Sequence, residues 1–288
     1  MRIVTLTTDL GLKDHYVASL KGQLLSQNPD IHLIDISHNV EPFNVAQASY
    51  FVNNVIKDFP EGTIHFIGVD SIPIINISSP KLNLYPIIMH LKGHYFIGLD
   101  NGFFSLLPDF YEADEIVQIH DFSSKQALRY PTKHIYIPAI TALLKGEKLK
   151  NLGDKLETVR RAFTTQATTE KNLIKGSVIH IDHYGNVIIN ISESLFKKIG
   201  KGEAFTIYFR QSKYFIERIV DNYGEAPVGE KLALFNNSGH LEIAINKGIK
   251  GSGGGASSLL GLKVSDTIRI EFHPRGSKDN FDALFPTG

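Results

Sequence analysis

The sequence predicts two unlike modules in series: an α/β N-terminal domain with a largely parallel sheet over residues 1–160, then a C-terminal all-β barrel over residues 173–288. Two observations carry this. In the first half, short β-branched runs alternate with stretches of helical period, as strand–helix–strand units require. In the second half, strand-like runs follow one another across turn residues with no long helix between them.

Residues 3–7 are a β-branched run leading into Asp9-Leu10-Gly11, followed by a helical stretch over about 14–25. Residues 31–36 are again apolar and β-prone. From Asn44 to about residue 57, Val45, Ala48, Phe51, Val52 and Val55 share one helical side, and Asn44 suits the N-cap. A third strand is expected at 63–69, a further pair at 85–90 and 95–99, and a helix at 138–144 that ends by Gly146. The polar, Thr-rich stretch 160–172 lacks an apolar face and reads as a linker. Strands then follow at 176–181, 187–191, 204–209, 214–219, 231–235, 241–245 and 267–272. From Pro274 the chain is polar and reads as loosely held.

Composition narrows the function classes. Hydrophobic residues make up 42% and charged residues 21% of 288, a globular profile. Thirty basic residues balance thirty acidic ones, so no net field draws the chain to nucleic acid or an anionic membrane. There is no cysteine, which excludes disulfides, thiolate catalysis and cysteine-held metals and fits a reducing cytoplasm. The N-terminal Met-Arg-Ile-Val-Thr-Leu leads into a strand pattern rather than a leader-like apolar region, and no apolar stretch is long enough to span a bilayer. A cytoplasmic protein is expected.

Several segments could carry chemistry. Asp9 ends the first strand and Asp70 the third, and in an α/β sheet the loops at the carboxyl ends of strands form the ligand crevice. Each acid could equally be a cap or a turn residue. Leu99-Asp100-Asn101-Gly102 is by local chemistry a turn. Asp182-His183-Tyr184-Gly185-Asn186 is a hairpin tip, yet it gathers a carboxylate, a ring and an amide able to hold a polar aromatic ligand. The glycine run 251–255 lacks a phosphate-loop ending and reads as a flexible loop. The twelve histidines show no metal-ligand spacing, so no metal is expected.

In order along the chain these segments resemble one family. Thr7-Thr8-Asp9-Leu10-Gly11 with Asp14, Asp35-Ile36-Ser37-His38 with Glu41-Pro42-Phe43, Val69-Asp70, Leu99-Asp100-Asn101-Gly102, Ile137-Pro138-Ala139, Asp182 to Val187, and Asn237 to Ala244 follow the pattern of the SAM hydroxide adenosyltransferases, relatives of the SAM-dependent fluorinase and chlorinase. The resemblance implies a homotrimer whose ligand sites lie where one subunit's N-terminal domain meets its neighbour's C-terminal domain. It implies that Asp9 accepts the ribose hydroxyls and that Phe43 packs near the ribose and sulfonium. Tyr130 and Thr132 would line the nucleoside pocket. Asp182 and Ser238 would hold the methionine ends, and Tyr184, Asn186 and Tyr223 the adenine. The implied reaction is attack of water or hydroxide on C5′ of SAM, giving adenosine and methionine, with SAM as substrate and no cofactor.

Asp70 matches the family's catalytic Asp. The family's Asp-Pro-Gly-Val-Gly-Thr-x-Arg here becomes Asp70-Ser71-Ile72-Pro73-Ile74-Ile75-Asn76-Ile77, and the connection from Asp70 to Asp100 is longer than usual. Ile77 or Tyr85 falls at the catalytic Arg position, and Pro131 at the catalytic His. His134 and Lys81 are the nearby candidates for replacing them. The expected function is therefore SAM hydrolysis, with a SAM- or nucleoside-binding protein of impaired catalysis as the alternative. A transferase using another nucleophile or nucleoside is a third reading.

Overall fold

A computed structural model describes residues 2–76, 78–120, 122, 124–209, 211–248 and 254–273, with the side chains of 211–214 excepted. Ile77, most of the glycine run at 251–255 and the tail from Pro274 lie outside the described residues. The chain divides into two compact units, one ending at Thr164 and the other beginning at Thr165.

The first unit contains, in order, β1 (Ile3–Thr8), α1 (Tyr16–Gln27), β2 (His32–Ser37), α2 (Val45–Val55), β3 (Ile64–Gly68), β4 (Pro86–Leu91), β5 (His94–Leu99), β6 (Glu115–Ile119), α3 (Lys125–Arg129), α4 (Ile137–Leu144) and β7 (Gly153–Lys155). The strands form one sheet in the order β2-β1-β3-β5-β4-β6-β7. The neighbours β2-β1, β1-β3 and β3-β5 are parallel, whereas β5-β4, β4-β6 and β6-β7 are antiparallel. The sheet is thus mixed, not largely parallel as the sequence suggested. The reason is local. Lys92 and Gly93 both take positive φ (50° and 77°), the conformation of a two-residue hairpin turn, which leaves no room for a crossover helix between β4 and β5.

Strand alternation sends Val4, Leu6 and Phe66 to one face, where they pack with Leu20 and Leu24 of α1 and Ile137 and Ile140 of α4. Ile67, Ile87 and Phe96 lie in a second cluster with Ala48 and Val52 of α2 and with Phe103 and Phe104. The Asn44 side chain caps α2 by accepting from the Gln47 amide at 3.0 Å. Because β1 and β3 run parallel with Thr8 opposite Gly68, both chains leave the sheet at the same edge, and Asp9 and Asp70 leave with them.

The second unit contains β8 (Thr168–Glu170), β9 (Leu173–Ile181), β10 (Val187–Ser192), α5 (Glu193–Gly200), β11 (Ala204–Phe209), β12 (Gln211–Ile216), β13 (Lys231–Phe235), β14 (His240–Ile245), α6 (Ala256–Leu259) and β15 (Thr267–His273). The antiparallel order is β12-β11-β15-β9-β10-β14-β13, with β8 added beside β9. A bridge between Ile219 and Ala233 draws the two ends together, so the sheet is a nearly closed barrel. Ile174, Ile189, Ile207, Leu241, Ile243 and Ile270 fill it. The second unit departs from the sequence reading in several places, among them the strand expected at 214–219, which runs over Gln211–Ile216, and the short helix α6. Part of the stretch read as a linker is β8, and α5 is a helix because the Ser192 hydroxyl accepts from the Leu195 amide and Lys201 (φ 49°) ends it in the left-handed region.

Candidate functional site

Asp9 sits just past β1, and its Oδ2 accepts from the backbone amides of Phe43 (3.0 Å) and Asp70 (3.2 Å). One carboxylate therefore ties together the three loops that follow β1, β2 and β3. Phe43 has φ 65° and Asp70 φ 44°. Asp adopts the left-handed region at modest cost, whereas a bulky aromatic there is a genuine outlier that the surrounding bonds must hold in place.

The Asp70 turn is pinned from two further sides. Asn101 Nδ2 donates to the carbonyls of Val69 (3.1 Å) and Asp70 (3.2 Å), and the Tyr136 hydroxyl donates to the carbonyl of Ser71 (2.9 Å). Among the described residues nothing hydrogen-bonds the Asp70 carboxylate itself. Partial burial, and then the negative charge of Asp9, push its pKa above the usual carboxylate value.

Asp9, Phe43, Asp70, Tyr130 and Thr132 line one cavity of about 600 Å³, a volume suited to a nucleoside-sized ligand. Its other wall runs from Gln126 through His134, where α3 leads into a π-helical turn (Thr132–Tyr136) that continues as α4. Phe43 and Tyr130 are 71% and 55% exposed, large apolar faces at the cavity mouth, and the Tyr130 ring has the Arg129 guanidinium 5.7 Å from its centroid and the His134 ring at 6.5 Å. His134 lines the cavity and Lys81 does not. Pro131 is buried in the wall, and Tyr85 is outside the lining with its hydroxyl accepting from Asn83 Nδ2 at 2.8 Å. Sequence reasoning missed Arg129 and Lys133, which place two cations on the same wall. Their neighbours Tyr130 and Thr132 were the signal, since one helical turn brings all four to one element.

In the second unit, Asp182, Tyr184 and Asn186 form the β9–β10 turn. Asp182 accepts from the Asn186 amide (2.8 Å) and from Asn186 Nδ2 (3.1 Å), while Tyr184 stands 58% exposed. Tyr223 donates its hydroxyl to Glu242 at 2.6 Å, and Asn236 Nδ2 donates to the other Glu242 oxygen at 3.3 Å. Ser238 Oγ donates to Asn236 Oδ1 at 2.6 Å and lies 3.0 Å from His240 Nδ1. The residue missed here is Glu242, only 4% exposed. Burial pushes its carboxyl up, the bonds from Tyr223 and Asn236 pull it down, and the Asp182 charge pushes it up again. Burial and the Glu242 bond likewise raise Tyr223. A charged residue inside the apolar run Leu241-Glu242-Ile243-Ala244 was the available signal.

Comparison with known proteins identifies the family. Residues 4–153 match the family model described as SAM hydroxide adenosyltransferase N-terminal domain, and residues 176–269 match that of the C-terminal domain. The chain belongs to the SAM hydroxide adenosyltransferase family. It is similar to a (R)-S-adenosyl-L-methionine hydrolase from Methanocaldococcus jannaschii, 30% identical over 278 residues that cover 93% of this chain and 95% of the relative. A fluorinase from Actinoplanes sp. (strain N902-109) is 24% identical over 281 residues, covering 85% and 91%. An uncharacterized conserved protein from Thermotoga maritima, known by crystal structure, superposes with a TM-score of 0.78 at 29% identity, covering 94% of this chain and 99% of that one.

Against that SAM hydroxide adenosyltransferase background, the segment after Asp70 has its own structure. Ile74 and Leu84 pair across a hairpin, and Arg160 fastens it by donating Nη2 to the carbonyls of Lys81 and Asn83 at 3.1 Å each. Among the described residues, no three His, Asp or Glu side chains gather where a metal ion could be held.

Proposed function

We propose that this protein hydrolyses SAM to adenosine and methionine, with SAM as its substrate and no cofactor. In this reading water attacks the ribose C5′. The new O–C5′ bond forms as the C5′–S bond breaks, its electron pair passes to sulfur to give methionine, and the proton lost by water passes to Asp70. The sulfonium is already a good leaving group, so alignment and partial desolvation of the water are the protein's main task. Asp9 spends Oδ2 on the two loop amides, and its Oδ1 is assigned to the ribose hydroxyls. Phe43 packs against the ribose and sulfonium, and Tyr130 and Thr132 line the nucleoside pocket. Asp182 and Ser238 are assigned to the methionine amino and carboxylate groups, and Tyr184, Asn186 and Tyr223 to adenine. His134 is the wall residue assigned to the place left by the family's His.

The observation that carries this reading is the meeting of Asp9 and Asp70 at one sheet edge, on a cavity of nucleoside size, in a chain of this family. Incubating the pure protein with SAM and separating products by chromatography tests it. Adenosine and methionine in equal amounts above the protein-free control are expected. SAM that binds in calorimetry but stays intact would replace hydrolysis with binding alone, the outcome that Pro131 at the catalytic His position favours. The assembly we propose is a cytoplasmic homotrimer, which light scattering during gel filtration checks.

A further inference from the structure

We propose that Tyr136 is a positioning residue for Asp70, acting through the backbone of the turn that carries it. The inference rests on the hydrolytic reading above and goes beyond it, since it concerns a side chain outside the cavity lining.

Tyr136 is fully buried at the junction of the π-helical turn and α4. An apolar ring alone would fill that place, where Phe66 packs at 5.4 Å between ring centroids. A buried phenol needs a partner for its hydroxyl, and among the described residues this one donates to the Ser71 carbonyl at 2.9 Å, 65 residues away in sequence. The bond matters because of where it lands. Asp70 occupies the left-handed region, which a non-glycine residue leaves readily unless neighbouring peptides are held. The three carbonyls of Val69, Asp70 and Ser71 are each held, the first two by Asn101 and the third by Tyr136, and the Asp70 amide is held by Asp9. The clamp thus comes from three separate elements, and Tyr136 is its contact with the helical wall that also bears Tyr130 and Thr132. It fixes the distance between that wall and the Asp70 turn.

The test uses Tyr136→Phe, which removes one oxygen and keeps the ring. The titratable groups that act on Asp70 are Asp9 from the β1 loop and Tyr136 itself, and those that line the same cavity are Arg129, Lys133, His134, His15 and Tyr16. Loss of the clamp lets the turn relax towards water, which lowers the Asp70 pKa by relieving its burial. The expected result is a folded variant with kcat down about 10-fold, KM for SAM within about two-fold, and the acidic limb of the kcat profile moved to lower pH. A folded variant with unchanged kcat and unchanged limb overturns the proposal, as does a fall in kcat with a matching rise in KM and no movement of the limb. Should Tyr136→Phe not fold, Asn101→Ser, which releases the Val69 and Asp70 carbonyls, must give the same split, and an unchanged kcat there also overturns it. If the unaltered protein does not hydrolyse SAM at all, the functional reading fails instead, a result visible before any variant is made.

Discussion

Each unit sets two acids close enough to raise a carboxyl pKa, and the two units treat them oppositely. In the second, Glu242 is nearly inaccessible and both its oxygens are bonded, one by Tyr223 and one by Asn236. In the first, Asp70 is only half-buried, borders an open cavity, and has its backbone held on every side while its carboxylate is left without a hydrogen bond among the described residues. A raised carboxyl with satisfied oxygens is a strut. One with a fixed backbone and unsatisfied oxygens is poised to take a proton from something that enters the cavity.

The sharpest way to break this contrast is to neutralise Asp70. Asp70→Asn should lower the rate of adenosine release by about 10²–10⁴-fold, the range for loss of a general base. Its melting temperature should stay level or rise, because repulsion with Asp9 disappears. The second unit should answer in binding instead. Asp182→Ala is expected to weaken SAM affinity in calorimetry more than Asp70→Ala does, and the reverse order would remove the roles given to both acids.

Glu242 gives the next largest effect, and it should appear in stability. Glu242→Ala leaves the Tyr223 hydroxyl and the Asn236 amide without their acceptor, a loss of about 1–3 kcal/mol. Urea unfolding measures it. Glu242→Gln, which keeps one acceptor oxygen and sheds a buried charge beside Asp182, should lose less. Equal losses in the two variants would mean that the shape of the side chain matters and its bonds do not.

What could be read from sequence follows from the range of the interactions involved. The Asp9 and Asp70 positions were legible because adjacent parallel strands must end at one edge, a rule that needs only strand order. The Asn44 cap and the barrel strands were legible because capping and alternation act over a few residues. The mixed sheet was not, since it turns on the two positive-φ residues Lys92 and Gly93, and Lys-Gly carries a weaker hairpin signal than Asn-Gly. Strand β7 was missed because it is three residues long, and β6 because the adjacent Ile116 and Val117 break its alternation. The Tyr136 bond was out of reach for another reason. Its sequence neighbours Ile135 and Ile137 mark it as core, and only the folded chain shows that its one polar atom meets Ser71. Glu242 stood in plain view within its motif, but its coupling to Asp182 depends on the β10–β14 register that pairs Ile188 with Glu242.

The smallest expected effect belongs to a group with no part in either acid pair. His65 is fully buried in β3, shares a hydrogen bond with Thr5 Oγ1 at 2.8 Å, and lies 3.2 Å from His94 Nδ1, with Phe96 stacked on one side and Phe59 edge-on. Burial, and then the nearness of His94, push its pKa down from 6.5 to about 3. The unfolded chain therefore binds a proton that the folded chain refuses. The stability this gives is complete above pH 6.5 and drains as the pH falls towards 3, with a slope that approaches about 1.4 kcal/mol per pH unit. The raised carboxyls of Asp70, Asp100 and Glu242 act in the opposite sense, favouring the folded state as they protonate. A bare stability curve would mix the two, so the difference between the unaltered protein and His65→Gln isolates the imidazole. Denaturant midpoints taken from pH 7 to pH 5 should converge as the pH falls, because only the unaltered protein loses the histidine contribution. Parallel curves would place the acid sensitivity of the first unit elsewhere, in His94 and the Glu61 and His90 charges that act on it.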